Sequence, residues 1–169
     1  MLKTFEPIVV CAVAGGGAST AAIDLRVRRV PNPMTLGITA VGLILAALQV
    51  TTVTVGAALT GLALGFALML PGHLIGATGA GDVKLMAAFG TLLGPGRTGS
   101  AFIYTAIAGG AIALIVAARR RRMRVTIERT AALLSASGAA ADIEHPREDN
   151  RFAYAPAIAI GALAAAFGL

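Results

Sequence analysis

The chain has 169 residues, of which 57% are hydrophobic and only 13% charged, with a formal net charge of +6; soluble domains carry about 25% charged residues. So apolar a composition excludes a disordered chain. The single Cys11 excludes a disulfide scaffold and a cysteine-rich zinc module, and 5% aromatics without any Trp argue against a platform for stacking nucleic-acid bases.

The charges leave long gaps, and the gaps are taken here in chain order. Pro7 to Ile23 contains no Asp, Glu, Lys or Arg. A transmembrane helix needs about 20 mostly apolar residues to cross about 30 Å of hydrocarbon, so this run is close to one crossing. It makes a poor secretory signal, because Glu6 precedes it and a basic segment follows it. Val30 to Gly81 is too long for one crossing and has a polar break at Thr51, Thr52 and Thr54. That pattern predicts a helical hairpin, Thr35 to Val50 across and Val55 to Ile75 back. Pro31 and Pro33 stop helical continuation after the first basic loop. Leu85 to Gly96 is too short to span alone and is extended backward through Lys84 and Asp82, so the fourth helix is expected to begin near Ala77. Thr98 to Ala118 and Phe152 to Leu169 supply two more crossings. The expected fold class is therefore all-α: a polytopic integral membrane protein of about six transmembrane helices, forming one domain over residues 1–169. An outer-membrane barrel is excluded, since these runs are continuous rather than alternating. Gly15, Gly16, Gly17, Gly61, Gly65, Gly109 and Gly110 fall inside the spans and are read as places where helix backbones approach closely.

Orientation follows from the basic residues. With the N-terminus outside, the cytoplasmic segments are Asp24 to Met34, Gly76 to Lys84 and Arg119 to Arg151. All but two of the 14 basic residues, Lys3 and Arg97, then lie inside, as the positive-inside rule requires. The positive charge is a topology device, so membrane lipid is an expected partner and nucleic acid is not. The 119–151 segment is the largest polar stretch. It opens on four arginines, Arg119 to Arg122, which suit an anchor on anionic headgroups. Residues 124–136 are read as a short helix on the membrane surface, and residues 135–150 as a loop.

Of the eight acidic residues, five lie in the 119–151 segment and Glu6 lies at the outer edge, where solvated charge explains them. Asp24 and Asp82 remain. Asp24 ends the first span and Asp82 opens the fourth; two crossings between them return both to the same membrane face. The bland readings are an interfacial Asp24 paired with Arg28 one turn on, and an Asp82 meeting a helix macrodipole. Against them, a start near Ala77 puts Asp82 a turn or more inside the hydrocarbon boundary, where a carboxylate usually faces a water-filled cavity. Gly76, Gly79 and Gly81 beside it permit irregular backbone, tolerated at that depth only under protein or water. Two carboxylates brought close do not both ionise easily. The ionised member then takes a proton from water while the neutral one donates to a carbonyl oxygen. This is general acid–base peptide hydrolysis without metal, cofactor or covalent intermediate. Cys11 is read as a small apolar filler, His73 with Pro71 and Gly72 as the end or kink of the third helix. Lys84, about 200° around a helix from Asp82, is read as reaching for the headgroups rather than contacting that carboxylate.

These residues resemble a known family. Asp24-Leu25-Arg26-Val27-Arg28-Arg29-Val30-Pro31-Asn32 resembles the first-aspartate motif of type IV prepilin peptidases, and Gly79-Ala80-Gly81-Asp82-Val83-Lys84-Leu85 resembles their second. The latter also fits the glycine-x-glycine-aspartate signature of intramembrane aspartyl proteases. Tyr154-Ala155-Pro156-Ala157-Ile158-Ala159-Ile160-Gly161 is similar to the last helix of the family. The resemblance implies an inner-membrane aspartyl endopeptidase that removes the basic leader of prepilins and pseudopilins at the cytoplasmic face. Asp24 and Asp82 are then the catalytic pair, supported by Gly79, Gly81, Lys84, Pro31 and Asn32. It implies no cofactor. Its partners are a prepilin or pseudopilin substrate and the pilus assembly machinery. Larger members also methylate the new N-terminus and carry a further cytoplasmic domain with paired cysteines. This sequence begins directly with a span, so it resembles the short form associated with Flp-type pili of the tight-adherence system, and methylation is not expected. Three alternatives remain at this level: a related protease with another substrate, a proton-coupled transporter whose carboxylates relay protons, or a non-catalytic assembly subunit.

Overall fold

A computed structural model of the chain describes residues 6–119 and 154–168. Among the described residues the secondary structure is helical throughout, in five helices. They are α1 (Pro7–Val27), α2 (Asn32–Ala47), α3 (Val55–Leu74), α4 (Ala80–Arg119) and α5 (Ala155–Ala166). The basic segment expected at 119–151, with its surface helix, lies outside the described residues except for Arg119. By Cα packing the chain forms two units, Met1–Gly109 with Ala153–Leu169, and Gly110–Phe152. The first holds the candidate site; of the second, only the end of α4 is described.

Local chemistry sets the helix ends. α1 starts on Pro7, whose fixed φ suits the first turn. It stops at Arg28, which turns left-handed (φ 53°) and gives its N–H to the Asp24 carbonyl at 2.7 Å. Pro31 precedes α2, and Pro33 occupies its first turn. The Thr54 hydroxyl caps α3 by accepting the Ala57 N–H at 3.2 Å. Pro71 lies inside α3, and the helix ends one turn later. The predicted hairpin is therefore present within a few residues at each end.

Two expectations are corrected. The fourth helix begins at Ala80, not near Ala77. The intervening residues fold into a turn: Ala77 and Thr78 donate to the Gly72 carbonyl at 2.8 and 3.1 Å, and Gly76 takes φ 75°. Asp82 is thus in the first turn of α4. The fourth and fifth predicted helices are both present, numbered together as α4, and they meet at Gly94 (φ 67°, ψ 172°) rather than at Arg97. A glycine reaches that conformation without a Cβ penalty, and Pro95 after it has no N–H to leave unpaired. Three helices are long and apolar enough to cross a membrane: Pro7–Val27, Val55–Leu74 and the Ala80–Ile115 part of α4. Asn32–Ala47 and Ala155–Ala166 are shorter apolar helices; twelve residues rise only about 18 Å.

The first half of α4 is the centre of the molecule. Val83, Leu85, Met86, Ala88, Phe89, Leu92 and Leu93 are all buried, among Val9 and Val13 of α1, Ile38 of α2, Met69 of α3 and Ile158 of α5. Outward faces carry exposed Leu36, Ile44, Leu59, Phe66, Ile103 and Leu114, as a surface bathed in lipid does. Small residues make the crossings. A methyl group at Gly61 of α3 would run into the Gly90 backbone of α4, and one at Gly65 would stand 2.7 Å from the Met86 carbonyl oxygen. Gly16 faces Ile38 and Phe89, and Gly17 meets Ala159 of α5. Gly15 and Gly110 have nothing within 4 Å, so the close-approach reading fails at these two. Cys11 is exposed on the outside of α1 rather than filling a gap.

Candidate active site

Asp24 projects from the last turn of α1 into the protein and is buried. Its Oδ2 accepts the N–H of Ala155, the first residue of α5, at 3.2 Å. The Tyr154 side chain makes no cap bond to that helix, so Asp24 does what an N-cap residue would do, from a different helix. Arg28, the expected partner of Asp24, contributes its backbone N–H to the Asp24 carbonyl.

Asp82 is buried in the first turn of α4, and its Oδ2 accepts the Gly79 N–H at 3.0 Å. An acidic side chain in the first turn reaching back to the N-cap N–H is half of a capping box. Each carboxylate therefore sits at a helix N-terminus, where unpaired N–H groups and the macrodipole favour negative charge. Burial opposes that charge.

Ala155 bonds Asp24. Tyr154 precedes it as the N-cap residue of α5. Its ring lies against Gly109. The two motif segments also touch directly. A methyl group at Gly81 would stand 3.1 Å from the Val30 Cβ. The Lys84 ammonium donates to Asn32 Oδ1 at 3.0 Å, so Lys84 bridges to the first motif instead of reaching away to headgroups. Pro31 precedes α2 and accepts the Met34 N–H at 3.1 Å. His73 pairs through Nδ1 with the Thr78 carbonyl at 3.1 Å and so shapes the turn ahead of Asp82.

Glu6 departs from expectation. It is buried, and its carboxylate accepts both the N–H and the hydroxyl of Thr52 in the turn between α2 and α3. It is a structural tie at the other end of α1. Sequence reasoning assigned no site role to Tyr154, Ala155 or Gly109. The only trace was the Tyr154-Ala155-Pro156 run, because these contacts join residues far apart in the chain.

This is a helical scaffold with two buried carboxylates, Asp24 and Asp82, at one end. Residues 11–114, well over half the chain, match the type IV leader peptidase family. The chain belongs to that family, a family of membrane peptidases whose substrates are prepilins. No curated protein and no solved structure matches the chain.

Proposed function

We propose that this chain is an aspartyl endopeptidase of the bacterial inner membrane that cleaves the N-terminal leader of Flp-type prepilins at the cytoplasmic face. One of Asp24 and Asp82 is ionised and removes a proton from water as the water oxygen attacks the scissile carbonyl carbon. The other is protonated and donates to the carbonyl oxygen. Collapse of the tetrahedral intermediate breaks the C–N bond: the first carboxyl gives its proton to the amine that leaves, and the second takes back a hydroxyl proton as the carbonyl re-forms. The observation that carries the reading is the burial of both Asp24 and Asp82, from motifs far apart in sequence, each accepting a backbone N–H at a helix N-terminus. Membership of the leader peptidase family supports it. So do the contacts Gly81–Val30 and Lys84–Asn32, which tie one motif segment to the other. A cytoplasmic site and an external N-terminus agree with the distribution of Arg and Lys.

Mass spectrometry of the major pilin N-terminus, with and without this protein, tests the reading. The expected result is a leaderless, unmethylated pilin only when the protein is present. An intact leader in both samples, or an absent leader in both, contradicts it.

A further inference from the structure

Gly109 lies in the second half of α4, and Tyr154 stands just ahead of α5. A methyl group at Gly109 would be 2.6 Å from Cε2, 2.8 Å from the phenol oxygen and 2.9 Å from Cζ of Tyr154. Only glycine leaves room for the ring in this position. The residue after the ring, Ala155, gives its N–H to Asp24 Oδ2 at 3.2 Å. The ring and that N–H thus belong to adjacent residues at the start of α5. An aspartate side chain otherwise chooses among staggered rotamers, and this bond selects one.

We propose that the seating of the Tyr154 ring on Gly109 positions Asp24: it fixes the first turn of α5 so that the Ala155 N–H holds the Asp24 carboxylate in its working orientation. The inference rests on the reading of Asp24 and Asp82 as the hydrolytic pair. Tyr154 and Gly109 are positioning residues, acting through Ala155, and the aromatic ring matters rather than its hydroxyl.

The test is steady-state cleavage of a prepilin by purified, detergent-solubilised variants. Gly109→Ala displaces the movable end of the Tyr154 side chain while improving helix propensity, so its thermal midpoint should not fall. Gly109→Ala and Tyr154→Ala should each lower kcat by about tenfold or more, because small misplacements of a reacting group are costly. KM should stay within about twofold in both. Tyr154→Phe keeps the ring and should retain kcat within about twofold of the parent. The double variant Gly109→Ala with Tyr154→Ala should be no slower than Tyr154→Ala alone. Wild-type kcat in Gly109→Ala, a loss confined to KM, or a Tyr154→Phe as slow as Tyr154→Ala would each overturn the proposal. Asp24→Asn and Asp82→Asn are run alongside. Cleavage persisting in them removes the hydrolytic reading itself; inactive aspartate variants beside a fully active Gly109→Ala remove the positioning role alone.

Discussion

Asp24 and Asp82 each accept a backbone N–H at a helix N-terminus, one at α5 and the other at its own helix. Opposed tendencies meet there: N–H donors and dipoles favour the anion, while burial favours the neutral acid. A pair that works by holding one proton between two carboxyls loses activity when both are protonated and when both are ionised. Cleavage should therefore follow a bell-shaped pH profile, and a flat rate between roughly pH 5 and 9 would contradict the shared-proton assignment. At this scale the placing of the two aspartates at helix ends was legible, because each borders a long charge-free stretch. The Ala155 bond was not: it joins positions 131 residues apart, and no local pattern encodes such a contact. Nor was Glu6 legible as a buried tie, since its partner Thr52 lies in another loop.

At the scale of elements, proline, threonine and glycine carried most of the information. Pro7 and Thr54 stand at the helix starts expected near them, whereas Pro33, read as stopping a helix ahead of one from Thr35, lies in the first turn of α2, which begins at Asn32. The start of α4 was misjudged because a length count replaced local chemistry, and Gly76 and the turn after it absorb the missing residues. The break at Gly94 was hidden by Arg97, whose charge looked like the end of a helix. The glycines divide by what faces them, which composition alone does not reveal. Gly61→Ala would push a methyl group into the Gly90 backbone of α4, and such overpacking should cost about 1–3 kcal/mol. Gly15→Ala meets open space and should be neutral or stabilising by about 0.5–1 kcal/mol, the helix preference of Ala over Gly. Denaturation of the two variants in one detergent makes the comparison. A Gly61→Ala as stable as Gly15→Ala would contradict the close crossing of α3 on α4.

Across the whole molecule, the two ends of α1 do different work. Glu6 ties one end to the α2–α3 turn, and Asp24, about 27 Å along the helix, meets the start of α5 at the other. Membrane character and helical class were written in the gaps between charges, and the family in two short motifs. The number of crossings was less legible, because lipid rewards apolar faces whether or not a helix spans, and α2 and α5 are short. Topology can be measured with single cysteines in a Cys11→Ala background and a membrane-impermeant maleimide. Cysteine at Thr51 should label from outside intact cells, whereas cysteine at Ala77 should label only after the membrane is opened. The reverse pattern would put Asp24 and Asp82 on the wrong face for a cytoplasmic leader. The most direct test of the account is the cleavage rate of Asp24→Asn and of Asp82→Asn on a leader-bearing prepilin in detergent. Asparagine keeps an acceptor oxygen for the Ala155 or Gly79 N–H but does not ionise. The account predicts folded proteins that cut about 100-fold to 10,000-fold more slowly than the parent; either variant cutting at the parent rate would contradict it.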